Sequence, residues 1–460
     1  MDAYYLMVES QRTPMYVAAM SLLTLPKAVE EVEFLQHIAH LLREDVELRR
    51  PFGDKLKTGP LGTAGSMYWE RDAELDMDYH VRQSALSRPG SYKELLSLIS
   101  RLHGSLLDRS RPLWEMYLIE GLQNRQFATY FKVHHCAVDG VAAMQIMNSM
   151  YSESARKRVK SSPLSQAAYQ QYKAGLPPRP EFPAEKDVRN VFSALQSQIG
   201  SAVNVAGAMG TVAEAWRRKG HALSVPFHQI PKMTLTSELT GARRFVAQSW
   251  PLERIRTLGK SFGGTINDVV LAMCAGALRR HLEKQGELPR ESLKAMTPVS
   301  IRSPGDANSS NAVGMVVVDL GTDERDPEKR LRRIKASMDA SKEQLRSMSK
   351  KEIEVYSALT HAPHLLTQML NLASKYPAFN TIISNVPGSK RQRYWHGARV
   401  DGVFPLGIPV DGCAINFTMI SNHKNLDFGI VACRKSVPQM QRLIDYLEES
   451  LLELEMVVAA

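Results

Sequence analysis

The sequence has little cysteine and no long apolar run, and each shortage excludes something. Its four cysteines, Cys136, Cys274, Cys413 and Cys433, are scattered with no paired spacing. That argues against a disulfide frame or a zinc site and leads us to expect reduced thiols in a cytoplasm. No stretch of about 20 apolar residues is present, so no transmembrane helix is expected. The opening MDAYYLMVES lacks the basic patch and apolar run of a secretory signal. RNP, zinc-finger and helix-turn-helix signatures are missing too, so nucleic acid is not an expected partner. With 44% hydrophobic and 23% charged residues, the chain is neither disordered nor collagen-like.

What is present is length and positive charge. At 460 residues the chain exceeds one ordinary core and is expected to form two domains. A net charge of +10 suits an acidic partner, such as an anionic membrane surface or a phosphate-bearing molecule. Residues 1–150 alternate strand and helix patterns around one sheet: a strand over 15–25, helices over 30–48 and 92–107, and strands over 112–119 and 126–135. Residues 151–240 read as a crossover. They hold the basic run Ala155 to Lys160, a proline cluster (Pro177, Pro178, Pro180, Pro183), and an uncharged stretch closed by Trp216-Arg217-Arg218-Lys219. That stretch reads as a helix packed across the domains or lying on a membrane surface. Residues 241–460 resume the alternation, with a hairpin expected around His423-Lys424-Asn425. The fold class is therefore α/β, a mixed α+β arrangement.

The most informative segment is His134-His135-Cys136-Ala137-Val138-Asp139-Gly140. Alternation along the strand puts His135 on a face with Val133, Phe131 and Phe127, and His134 with Lys132 and Tyr130. Asp139 is placed to cap a following helix, and Gly140 allows close backbone approach. Adjacent strand residues point to opposite faces, so His134, His135 and Asp139 do not form a metal set, and no metal is expected. Two readings of His135 stay open: a satisfied core histidine with Asp139 merely a cap, or a general base, since an ordinary imidazole is largely neutral near pH 7. The segment Gly259-Lys260-Ser261-Phe262-Gly263 matches a hydrolase nucleophile elbow in letters only. That elbow needs a strand before it, whereas Leu252, Ile255 and Leu258 predict a helix, with Gly259 as its C-cap. Cys136 is expected to face away from His135, which removes a Cys–His nucleophile.

These residues carry a resemblance. The chain is similar to the bacterial bifunctional wax ester synthase/acyl-CoA:diacylglycerol acyltransferases, of the coenzyme A-dependent acyltransferase and condensation-domain superfamily. The likeness runs through Pro14-Met15 after Asp2 and Glu9, Pro112-Leu113-Trp114, Asp139 and Gly140, and Asn267-Asp268-Val269-Val270-Leu271-Ala272. It continues in Pro298-Val299-Ser300-Ile301-Arg302 and Ile383-Ser384-Asn385-Val386-Pro387-Gly388.

The resemblance implies two chloramphenicol-acetyltransferase-like domains with a channel between them, reached by long-chain acyl-CoA and by a fatty alcohol or diacylglycerol. It places the catalytic positions at His134, His135, Asp139, Gly140 and Asn267, with His135 as base and no acyl-enzyme. Asp139 would pair with an arginine, for which Arg302 is the candidate. Thr265 to Asp268 reads as a capping box, which would put Asn267 in a first helical turn, either as an oxyanion donor facing a cleft or as a helix-start residue facing solvent. Ser384, Asn385, Pro387 and Gly388 would form a rigid turn lining the channel. No cofactor is implied, acyl-CoA being a substrate. The implied location is cytoplasmic, at the periphery of the inner membrane or of lipid inclusions. An amide-forming condensation domain and a non-catalytic lipid-binding protein are the alternatives.

Overall fold

A computed structural model describes residues 2–44, 47–59, 62–138, 146, 149–158, 162–174, 205–217, 221–300 and 313–459. Asp139, Gly140 and Arg302 therefore lie outside the described residues, as do most of the helix expected after them and residues 190–204 of the uncharged stretch.

The first half runs α1 (Asp2–Val8), β1 (Tyr16–Thr24), α2 (Glu31–Arg43), the hairpin β2 (Asp54–Gly59) and β3 (Gly62–Arg71), then the short α3 (Met77–His80). It continues with β4 (Val81–Ala85), α4 (Tyr92–Leu102), β5 (Trp114–Glu120), β6 (Gln126–His134) and α5 (Gln166–Ala174). The second half starts with β7 (Arg243–Pro251), α6 (Leu252–Ser261), α7 (Ile266–Gln285), β8 (Lys294–Ser300) and β9 (Val313–Asp319). Next come α8 (Pro327–Arg346), α9 (Lys350–Met369) and β10 (Thr381–Ser389). β11 (Tyr394–Trp395), β12 (Ala398–Leu406), β13 (Ile415–Asn422), β14 (Asn425–Cys433) and α10 (Arg442–Ala459) close the chain.

Two six-stranded sheets result, ordered β11-β12-β1-β6-β5-β4 and β7-β14-β13-β10-β8-β9. A division at 150 and 240 does not follow these sheets. β12, from far along the chain, pairs antiparallel with β1 and carries β11 with it into the first sheet. The alternation expected along β6 is present: Phe127, Phe131 and Val133 pack in one apolar cluster, while Ala128 and Tyr130 pack in another on the opposite face. That second cluster also takes Phe245 of β7, Val431 of β14 and Phe404 of β12, and so joins the sheets. In the second half, α7 is buried along most of its length and centres the largest core. Among the described residues no single helix is long and apolar enough to cross a membrane; α6 and α7 pass that test only as a bent pair.

The seam between the sheets is tight and polar at one point. Asp427 of β14 is fully buried and accepts hydrogen bonds from the Val403 amide of β12 (2.7 Å), the Asn422 amide group (3.0 Å) and the Ser249 hydroxyl (2.6 Å). Burial pushes its carboxyl up to about 6 despite these donors. Two residues on, a Cβ at Gly429 would overlap the Pro405 carbonyl of β12. Gly429→Ala should therefore force two backbones apart and cost about 3 kcal/mol or more. Gly207→Ala, in open space on the 205–217 helix, should be neutral or stabilising by roughly 0.5–1 kcal/mol. Thermal melts of the two variants check the contrast; equal melting temperatures would mean the seam is loose.

Candidate active site

β6 ends at His134, and His135 is the first residue of the turn that follows. The β1 ladder reaches one residue further than the strand: the His135 amide donates to the Met15 carbonyl at 2.9 Å. His135 is half-buried, and its ring stacks on Tyr5 of α1 with centroids 4.0 Å apart and planes 17° apart. The N-terminal helix thus fixes the plane of the imidazole.

His134 has the opposite fate and is fully buried. Its Nδ1 accepts the Cys136 amide hydrogen at 3.2 Å, so the ring proton sits on Nε2. Nε2 lies 3.3 Å from Glu9 Oε1, at ion-pair distance rather than in hydrogen-bond alignment. His134 thus braces the turn from behind. Cys136 packs among Leu6, Tyr16, Leu107 and Leu113.

Glu9 is the hub of this brace, its side chain only 3% exposed. Its Oε1 accepts the Met15 amide hydrogen at 3.0 Å, and Oε2 takes Arg109 Nη2 at 2.8 Å and Nε at 3.1 Å. Burial alone would raise the Glu9 carboxyl, but the contacts to His134, the Met15 amide and Arg109 outweigh it and hold it below the usual carboxylate value. One carboxylate thereby ties α1, the start of β1, the segment before β5 and the end of β6 to the backbone of His135. Tyr5, Arg109 and the bracing role of Glu9 were not legible in the sequence: Arg109 is 100 residues from Glu9, and no periodicity marks such a pair.

The second half approaches this loop through an apolar cluster of Met15, Phe379, Val410 and Cys413, against which Tyr5, Met296 and Ile382 also pack. Met296 and Ile382 form the last pairing between β8 and β10. Beyond them β10 stays with β13 while β8 stays with β9, so the two strands part. Each carries a proline past the parting, Pro298 and Pro387, which supplies no ladder donor. The loop of His135 thus neighbours the place where the second sheet opens.

The capping box on α7 is as expected. Asp268 Oδ2 accepts the Thr265 amide at 2.7 Å and its hydroxyl at 2.8 Å, and the Asp268 amide returns to Thr265 Oγ1 at 3.4 Å. Asn267 follows in the first turn, half-buried. Asp268 Oδ1 is buried and meets no donor among the described residues. The hydrogen bonds and ring contacts described do not join Asn267 to His135.

Two expectations need correction. Ser384, Asn385, Pro387 and Gly388 do not form a turn; they continue β10, with a bulge between Val386 and Ser389. Gly388 is needed there because a Cβ would overlap the Ser421 carbonyl, and its amide donates to Ser421 Oγ at 2.9 Å. Gly259 does not cap α6. The helix runs on to Ser261, and the left-handed residue is Gly263 at φ 61°. A helix still precedes Ser261, so no nucleophile elbow forms.

Glu9→Gln keeps the shape but removes the charge facing Arg109 and His134. It should cost roughly 1–3 kcal/mol of stability near neutral pH and lower turnover through the His135 backbone. Because the folded-state pKa of Glu9 is depressed, its contribution is present above the ordinary carboxylate range and is lost as pH falls through the lower folded value. The gap in melting temperature between wild type and variant should narrow below about pH 4. A constant gap would mean the charge is not what matters.

Comparison with known proteins matches this geometry to a family. Residues 1–270 match the wax ester synthase/diacylglycerol acyltransferase catalytic domain, and residues 309–455 match the corresponding C-terminal domain. The chain is 41% identical over 459 residues to "Probable diacyglycerol O-acyltransferase tgs2" of Mycobacterium tuberculosis, covering 99% of this chain and 98% of that one. It is 35% identical over 461 residues to the "O-acyltransferase WSD" of Acinetobacter baylyi, covering 100% and 96%. The solved wax ester synthase/diacylglycerol acyltransferase of Marinobacter aquaeolei VT8 superposes with a TM-score of 0.78 at 36% identity, covering 100% of this chain and 98% of that one. The first condensation domain of the calcium-dependent antibiotic synthetase shares the fold, at a TM-score of 0.55 and 14% identity. The chain belongs to the wax ester synthase/diacylglycerol acyltransferase family.

Proposed function

We propose that His135 is the general base of an O-acyl transfer from long-chain acyl-CoA to a fatty alcohol or diacylglycerol. Family membership makes the chain an O-acyltransferase acting on an alcohol or diacylglycerol. The observation that carries the assignment is the different treatment of the two histidines. His134 is buried and has committed Nδ1 to a backbone amide, whereas His135 is half-buried with its plane set by Tyr5.

In this reading His135 takes the proton from the acceptor hydroxyl as its oxygen attacks the thioester carbonyl. The tetrahedral intermediate collapses, the carbon–sulfur bond breaks, and the imidazolium returns the proton to the departing thiolate. Ester and free coenzyme A leave, and the histidine is restored. No acyl-enzyme forms: Cys136 is spent in an apolar cluster and Ser261 is an exposed helix-end residue. The acyl-CoA enters as a substrate, so the reaction as written needs no cofactor. Asn267 serves as an oxyanion donor from the first turn of α7, where the helix dipole adds positive potential. Asp139, Gly140 and Arg302 keep their proposed roles in shaping the loop. The place of work is the surface of a membrane or lipid inclusion, where both lipid substrates reside; the net charge of +10 suits such a surface and the coenzyme A phosphates.

Purified protein given palmitoyl-CoA with hexadecanol or diacylglycerol should release free thiol only when an acceptor is present. His135→Ala should lower turnover by about 10²–10⁴-fold. Asn267→Ala should lower it by roughly 10²-fold with little change in KM. Full activity of His135→Ala would remove the proposed base, and thiol release without acceptor would point to a hydrolase.

A further inference from the structure

α9 is built as a helix with two unlike sides. It opens with a capping box in which Glu352 accepts the Ser349 amide and Ser349 Oγ accepts the Glu352 amide at 3.4 Å. Its inner side is anchored: Ile353 and Tyr356 join the second core, the His364 ring meets Phe379 at 4.9 Å, and Gln368 donates to the Asp411 carbonyl at 2.8 Å. Its outer side is apolar and open to solvent. Val355 is 50% exposed, Leu359 50%, Leu366 56%, Met369 49% and Leu370 57%. At about 100° per residue these five fall within an arc of roughly 100°.

A solvated helix face carries charge, and this one carries none. No Asp, Glu, Lys or Arg occurs between residues 355 and 374. Among the described residues, seven of the fifteen exposed large hydrophobic side chains fall in residues 355–376, so the apolar surface is concentrated here rather than scattered. The far end is bordered by Tyr376, half-exposed, with Lys232 and Lys375 each 5.8 Å from its ring. An apolar stripe with an aromatic and lysines at its end is the pattern of a helix lying in a bilayer interface, stems in the apolar layer and cations at the headgroups.

We propose that the outer face of α9, continued through Leu372 and Tyr376, docks the protein on an anionic lipid surface. The charges favour a lipid over a second copy of the chain. Lys232 and Lys375 beside Tyr376 suit anionic headgroups, whereas a second copy of the stripe offers no carboxylate between residues 355 and 374 to meet them. The position also fits the reaction, and in this respect the inference rests on the proposed function. Phe379, touched by His364 from the inner side of α9, belongs to the cluster against which Tyr5 packs, and Tyr5 stacks on His135. α1 itself lies against α9. A docked α9 would therefore place the histidine loop one helix away from dissolved lipid substrates.

The test uses the full chain and the triple variant Leu359→Glu, Leu366→Glu, Leu370→Glu, whose positions are exposed and whose melting temperature should match wild type. Cosedimentation with phosphatidylcholine vesicles containing phosphatidylglycerol should fall more than about tenfold in the variant. Lys232→Glu with Lys375→Glu should weaken binding to these vesicles and leave the weaker binding to phosphatidylcholine alone unchanged. Transfer to diacylglycerol held in the vesicles should fall in step, while thiol release with a water-soluble alcohol stays at the wild-type level. Vesicle binding by the triple variant equal to wild type overturns the proposal. So does a wild-type chain that ignores vesicles, or one whose concentration-dependent dimerisation is abolished by the triple variant without any vesicle binding. If neither protein releases thiol with any alcohol, the proposed function fails, while the binding measurement still decides the docking face.

Discussion

Everything at the site depends on a strand that crosses between the halves. β12 leaves the second half to pair with β1, and β1 is also the partner of β6, on whose end the histidine pair stands. At the same time β12 presses on β14 so closely that only glycine fits at position 429, and its Val403 amide is held by Asp427. The two sheets are consequently not free to slide. A change in their separation would break backbone contacts on both sides of β12, and interiors packed this tightly transmit rather than absorb such strain.

The buried polar groups follow one logic. A carboxylate taken out of water is costly unless donors surround it. Glu9 has Arg109, the Met15 amide and the His134 ring, and its carboxyl ends below its usual value. Asp427 has only neutral donors, and burial leaves its carboxyl raised. The difference is first the His134 ring facing Glu9, to which the Met15 amide and the Arg109 hydrogen bonds add. Glu9 therefore stays ionised where it orients the histidine turn, while Asp427 works mainly as a hydrogen-bond acceptor in the seam. His134 and His135, neighbours in sequence, are separated in role by the same environment: one is drawn to the buried carboxylate and the other lies on Tyr5 at the border of the second sheet.

Much of the local architecture is visible in the residues themselves. The alternation from Phe127 to Val133 sorts into two opposite clusters as the period of a strand requires. The Thr265–Asp268 capping box forms with both of its reciprocal bonds. The hairpin around His423 forms with that residue at φ 54°. Where local reading went astray, a partner far along the chain was the cause. Pro387-Gly388 looks like a turn because those residues usually make one, yet pairing with β13 on both sides of it, at Val386 and Ser389, holds it in the strand as a bulge. Gly259 looks like a cap, yet two more residues of α6 form and Gly263 takes the left-handed position instead.

The sequence by itself determined the strand–histidine–turn element, the alternation of strands and helices in each half, and a resemblance that the family comparison bears out. Those features are set by interactions between residues a few positions apart, which leave a period or a capping pattern behind. Only the tertiary structure decided that β12 joins the first sheet, that Glu9 and Arg109 brace His134, that Tyr5 covers His135, and that α9 keeps an apolar face toward solvent. Each of these depends on which surfaces meet after distant segments fold together, and contacts across a hundred or more residues leave no periodic trace in the chain.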